Sequence, residues 1–182
     1  INPIFEYVQC DVRKLNTKVD IFVSPANSHG YMDGGIDEIY SKMFKGIGEA
    51  VRIKIKQMNI KNSRGQYILP IGSATVVDHI ICAPTMELPC VITNTKNVYY
   101  AMLAILRVAH GFPYDTIVGI PGLGTGVGNL NGHECSTQIY EAIRDFMNDI
   151  CDVLDGQVAI NRYQTHIEYQ ECDYFVVNEH CK

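Results

Sequence analysis

The chain has 182 residues, 47% of them apolar, and a net charge of −5. That length and composition fit one domain with a substantial core and exclude a disordered polymer. The acidic balance argues against a general nucleic-acid or acidic-membrane surface, and no apolar run approaches the roughly 18 residues that span a bilayer.

In chain order, Phe5–Gln9 alternates as a short strand and Asp11 follows it. Val19–Val23 is a compact apolar run, which predicts an interior strand. The spacing then predicts a helix from Gly34 to about Asn59, with a break near Gly46 and Gly48. Tyr67–Leu69, Ser73–Val77 and His79–Ala83 are short β-rich segments, with Asp78-His79 as a hairpin turn. Lys96–His110 is a strongly apolar helix, and Thr116–Ile120 a second interior strand ending at Pro121. Asn131 or Gly132 opens a helix running to about Leu154, with Ile139, Ile143, Phe146 and Ile150 on one face. Beyond Gly156, Gln157–Ile160 and Tyr174–Val177 have β-like composition. Strands alternating with helices imply an α/β layered domain, whose ligand site lies beyond the C-terminal strand ends.

Two loops follow interior strands at that edge. The first, Ser24 to Asp37, is polar, carries glycines and leads into a helix. Helix starts present unpaired N–H groups and positive dipole to anionic ligands. Asn27 either ties its loop by local hydrogen bonds or reaches a ligand hydroxyl or an attacking water. Asp33 is placed as the N-cap of a helix opening at Gly34. Asp37 sits in the first helical turn, where it suits the dipole or acts as a base. The second loop has glycines at 122, 124, 126 and 128 around Thr125. Glycine there lets backbone approach a diphosphate closely, although neither a Walker A nor a GxGxxG pattern is present. Asp11 is either a solvated turn carboxylate or an acceptor for the exocyclic amine of a base. His29, Tyr31 and His133 are possible neighbours of a ligand. Ser24, Ser28 and Thr125 belong to no recognisable Ser–His–Asp pattern.

The seven cysteines are an odd number without zinc-type spacing, which fits a reduced intracellular, cytoplasmic protein. Cys172, His180 and Cys181 form the one grouping able to hold a metal, but neither a metal nor a cofactor is expected. No signal-like segment opens the chain, and Ile1 in place of Met points to a trimmed start.

Together these segments resemble the macro domain, the ADP-ribose-binding module, over about residues 9–154. Cys10-Asp11-Val12 is similar to that family's Gly-Asp-Ile segment, whose Asp contacts adenine. Val23-Ser24-Pro25-Ala26-Asn27 resembles its Val-Asn-Ala-Ala-Asn motif, and Asp33-Gly34-Gly35-Ile36-Asp37 its Gly-Gly-Gly-Val-Asp segment. Ile81-Cys82-Ala83-Pro84 is similar to the strand end before its mid-domain loop, and Pro121-Gly122-Leu123-Gly124-Thr125-Gly126 to its diphosphate loop.

The resemblance implies a three-layer α/β/α fold with a mixed, largely parallel central sheet. It implies one domain over residues 1–182, with 156–182 as a C-terminal extension. The ligand-binding set it implies is Asp11, Val12, Ala26, Asn27, Asp33, Gly34, Gly35, Ile36 and Pro84, with Gly122, Leu123, Gly124, Thr125, Gly126 and Val127. In the family's hydrolytic branch, Asn27 would hold the distal ribose while Asp37 activates water at its anomeric carbon. The implied partner is ADP-ribose or an ADP-ribosylated protein. A non-catalytic reader or sequestering binder is one alternative, and a phosphatase for ADP-ribose 1″-phosphate another. Three departures stand out. Asp33 replaces a glycine and would repel a phosphate, Ser24-Pro25 replaces Asn-Ala, and Gly128-Asn129 stands where many members carry an aromatic.

Overall fold

The computed structural model describes residues 4–154 and 174–178. Among them, six strands form one mixed sheet: β1 (Ile4–Tyr7), β2 (Ile21–Ser24), β3 (Thr75–Val77), β4 (Ile80–Cys82), β5 (Ile117–Pro121) and β6 (Tyr174–Asn178). Their spatial order is β1-β6-β5-β2-β4-β3. The centre is parallel, with Phe22 opposite Gly119 on β5 and Ser24 opposite Cys82 on β4. The edges are antiparallel: β3 on β4, and β6 between β1 and β5.

Parallel neighbours need crossovers, and helices supply them. These are α1 (Gly35–Met43) and α2 (Ile47–Met58) after β2, α3 (Asn97–Ala109) after β4, and α4 (Gly132–Leu154) after β5. Successive strand side chains point to opposite faces, so the sheet carries two cores. Phe22, Ile80 and Cys82 pack with Tyr40, Val51 and Ile55 of α1 and α2. Val23, Ile81 and Val118 pack with Met102 and Ile105 of α3 and Ile139 of α4. Helices on both faces of a mixed sheet make the expected three layers.

Asn131 starts α4 with a reciprocal cap: its Oδ1 accepts from Glu134 N at 2.8 Å, and its Nδ2 donates to Glu134 Oε2 at 2.9 Å. The β3–β4 turn falls at Asp78-His79 as expected, with Asp78 at φ +50°.

The expected break near Gly46 and Gly48 is present, whereas the strand expected at Tyr67–Leu69 needs correction. The segment from Gly34 to Asn59 is two helices, because Gly46 adopts φ +88° and ends any continuous hydrogen-bond ladder. The break lets Tyr40 of α1 and Val51 of α2 bury against one sheet face. Tyr67–Leu69 is no strand; Tyr67 forms only an isolated bridge with Lys61. The segment Gln157–Ile160 and the grouping Cys172, His180 and Cys181 lie outside the described residues. No helix among the described residues is long and apolar enough to cross a membrane.

Candidate functional site

Because β2, β4 and β5 run parallel, the loops leaving Ser24, Cys82 and Pro121 emerge at one sheet edge. They enclose a cleft of about 270 Å³. One wall carries Pro25, Ala26, Asn27, Tyr31 and residues 33–37. The floor and rim add Thr85, Met86 and Pro89, and the facing wall is Pro121, Gly122 and residues 124–128. The cleft thus gathers Ala26, Asn27, Asp33, Gly34, Gly35, Ile36, Asp37, Gly122, Gly124, Thr125, Gly126 and Val127 from the expected set. Asp11, Val12, Pro84 and Leu123 do not line it. Val12 and Leu123 are buried in the two cores. His29 and His133 do not line it either, whereas Tyr31 does.

Asp37 is 8% exposed, on the first turn of α1. Ser24, fully buried at the end of β2, donates its hydroxyl to Asp37 Oδ1 at 2.5 Å. Loss of water pushes the Asp37 carboxyl up from 3.8 to about 6; the Ser24 hydrogen bond pulls it down, and the charge of Asp33 adds to the rise. A carboxylate titrating near neutrality beside a cleft is the type of group that exchanges protons with a bound water. The Cys82 thiol, across the sheet from Ser24, is pushed up to about 12 by burial and by Asp37, so it stays protonated. No pairing of Ser24 with Asp37 was evident from sequence, because the two lie 13 residues apart on different elements.

Asn27 builds its own loop. Its Nδ2 donates to Tyr31 O at 3.1 Å, and its Oδ1 accepts from His29 N at 3.1 Å and Tyr31 N at 3.3 Å. This Asx-type turn fixes Tyr31 at the cleft wall, and one Nδ2 hydrogen remains for a ligand. Beneath the turn, Gly30 adopts φ +72°, and a Cβ there would lie 2.8 Å from Val51 and Ile55.

Asp33 is exposed and caps nothing. The N-cap is Gly34, which has no side chain to offer, so the expected Asp33 cap is one residue out of place. The cap position falls instead where φ is −153° and the backbone is extended.

The 122–128 loop folds onto itself. Thr125 Oγ1 donates to Gly122 O at 2.9 Å, Leu130 N to Gly124 O at 3.1 Å, and Ile92 N to Gly128 O at 2.9 Å. Gly124 has φ +72°, and a Cβ there would meet Ile92 Cδ1 at 2.7 Å. A Cβ on Gly128 would meet Gly124 O at 2.4 Å. Both positions therefore need glycine. At the exposed tip, the N–H groups of Gly126 and Val127 donate to no carbonyl among the described residues. Among the described residues no Lys, Arg or His lines the cleft, and the only charged side chains there are Asp33 and Asp37. One wall is therefore acidic, and the other presents amides.

Asp11 caps a 3₁₀ turn at Val12–Leu15, accepting from Arg13 N at 2.9 Å and pairing with the Arg13 guanidinium. Those hydrogen bonds from Arg13 hold its carboxyl down at about 2. Among the described residues no group of three His, Cys, Asp or Glu side chains could hold a metal ion.

No family model matches the chain. The macrodomain of Mycobacterium tuberculosis DarG superposes with a TM-score of 0.59 at 20% identity, covering 76% of this chain and 89% of that one. The chain folds as a macrodomain. A point mutant of the Oceanobacillus iheyensis macrodomain, solved with ADPR, superposes on this macrodomain with a TM-score of 0.53 at 17% identity, covering 72% of this chain and 73% of that one. In sequence, an uncharacterized protein of Aquifex aeolicus is 33% identical over 134 residues, 70% of this chain and 74% of its own length. This macrodomain and that protein belong to one family. An uncharacterized protein of Aeropyrum pernix is 26% identical over 121 residues, 66% of this chain and 61% of its own length.

Proposed function

We propose that this macrodomain binds ADP-ribose or an ADP-ribose derivative and hydrolyses an ADP-ribosyl linkage on a protein. The observation that carries the reading is Asp37, a buried carboxylate raised to about 6, facing a wall of open backbone amides across a single cleft. Two carboxylates repel a diphosphate, so the phosphates belong against Gly122 and residues 124–127, where amides compensate charge without lysine. The neutral distal ribose then meets Asn27 and Asp37. The ADPR bound by the Oceanobacillus iheyensis structure supports the choice of ligand.

In this scheme Asn27 offers its remaining Nδ2 hydrogen to a ribose hydroxyl. Ionised Asp37 accepts a proton from water as that water attacks the anomeric carbon, and the bond from that carbon to the protein acceptor breaks. The acceptor leaves with the electron pair and takes up a proton. Asp11 and Val12 are assigned to the adenine, whose exocyclic amine would donate to the Asp11 carboxylate that Arg13 keeps ionised. Pro84 and Leu123 act from behind the cleft wall rather than by contact.

One observation favours a passive reader instead: the Asn27 amide is already largely engaged within its loop. Calorimetry with ADP-ribose and turnover of an ADP-ribosylated protein separate the readings. The hydrolase account expects release of free ADP-ribose, and loss of about 10²-fold or more in rate for Asp37→Asn with binding retained. Binding without release by wild type makes the chain a reader, and no heat with ADP-ribose ends both accounts.

A further inference from the structure

We infer that the acidic wall selects the acceptor: the group attached beyond the distal ribose is cationic, of the guanidinium class, and an anionic group there is rejected. This rests on the orientation proposed above for ADP-ribose. Among the described residues, Asp33 and Asp37 are the only charged side chains lining the cleft, and no basic residue lines it with them. Asp37 is more than nine-tenths buried, and among the described residues its carboxylate takes one side-chain hydrogen bond, from Ser24 to Oδ1. Among the described residues no side-chain hydrogen bond reaches its second oxygen. Asp33 is exposed at the same wall, and the pair sense one another, since the charge of Asp33 raises Asp37. Gly34 and Gly35 between them present no side chain, and a Cβ on either would meet nothing within 4 Å. The space beside the carboxylates is therefore open to an incoming group.

A planar cation with several N–H donors satisfies two carboxylates together, whereas a phosphate adds negative charge where no side chain among the described residues neutralises it. Asp33 is thus a specificity-determining residue. It stands on the solvent side of the pair, where an acceptor has to pass.

The test compares three probes on the full chain by calorimetry: ADP-ribose, ADP-ribose 1″-phosphate and the guanidine-linked conjugate ADP-ribosylagmatine. For wild type, the 1″-phosphate should bind about tenfold or more weaker than ADP-ribose, and the conjugate no weaker than ADP-ribose. Asp33→Asn should shrink the first ratio by about fivefold and weaken the conjugate relative to ADP-ribose, while Asp33→Glu restores both. Raising salt should narrow the wild-type discrimination, because Asp33 is exposed. If ADP-ribose and its 1″-phosphate bind wild type equally, or if Asp33→Asn leaves both ratios unmoved, the selection is refuted while the ADP-ribose reading stands. If ADP-ribose itself does not bind, both fall together.

Discussion

Replacing Asp37 with Asn removes a buried titration while leaving Ser24 an oxygen to donate to, which makes the charge testable apart from the shape. Asp37 titrates at about 6 in the fold, against 3.8 for an ordinary aspartate. Between those values the folded chain holds a proton that the unfolded chain has lost. The stabilisation from that proton is complete below 3.8 and is lost as pH climbs through about 6. At about 1.36 kcal/mol per pH unit, the whole effect is about 3 kcal/mol, and the wild type bears it as a penalty at neutral pH. Asn never ionises, so the Asp37→Asn variant escapes that penalty. Its stability relative to wild type should rise from about 1 kcal/mol at about pH 4.5 to about 3 kcal/mol at about pH 8, beyond any constant offset. Urea unfolding at a series of pH values measures this, since titrations elsewhere cancel in the difference. A difference that stays flat across that range would refute the buried, raised carboxylate, and with it the case for Asp37 as a base.

Ser24→Ala should send Asp37 the other way from a relaxed surface site. The Ser24 hydrogen bond lowers the carboxyl, so its loss should raise the midpoint seen by carboxyl NMR and shift the acid limb of turnover to higher pH. Ser24→Thr keeps the hydroxyl and should hold the midpoint in place; a midpoint that falls in Ser24→Ala would contradict the geometry. Gly124→Ala combines φ +72° with a Cβ 2.7 Å from Ile92 Cδ1, and should cost about 1–3 kcal/mol in urea unfolding. Gly126→Ala, where a Cβ meets nothing within 4 Å, should stay within about 0.5 kcal/mol.

Much of the fold was legible because periodicity reports burial directly. The apolar runs at 19–23 and 116–120 became the parallel centre, with boundaries shifted by a residue or two, since Val19 packs in the core without joining a strand. The break inside 34–59 was visible as two glycines, but only tertiary packing decides whether a glycine bends a helix or ends it. Tyr67 illustrates the opposite failure: its aromatic β-propensity found no neighbouring strand to satisfy. In the site, glycine spacing marked the 122–128 loop because close backbone contact tolerates nothing larger. The role of Ser24 was invisible, because a hydroxyl gains meaning only from the partner that folding brings to it. The same holds for Asp11, whose neighbour Arg13 engages the carboxylate two residues away.

The slot held by β6 has a consequence for how the molecule is made. Among the described strands β1 pairs only with β6, and β6 also covers the flank of β5. On a ribosome β1 therefore has no docking position until residues 174–178 have been synthesised, a delay on the order of ten seconds or more. From the synthesis of β5 until that of β6, the flank of β5 is a bare ribbon of unpaired amides and carbonyls. A nascent-chain chaperone acting on this protein has that ribbon to shield, and a frameshift that removes residues 174–178 leaves it permanently uncovered and strands β1 as well.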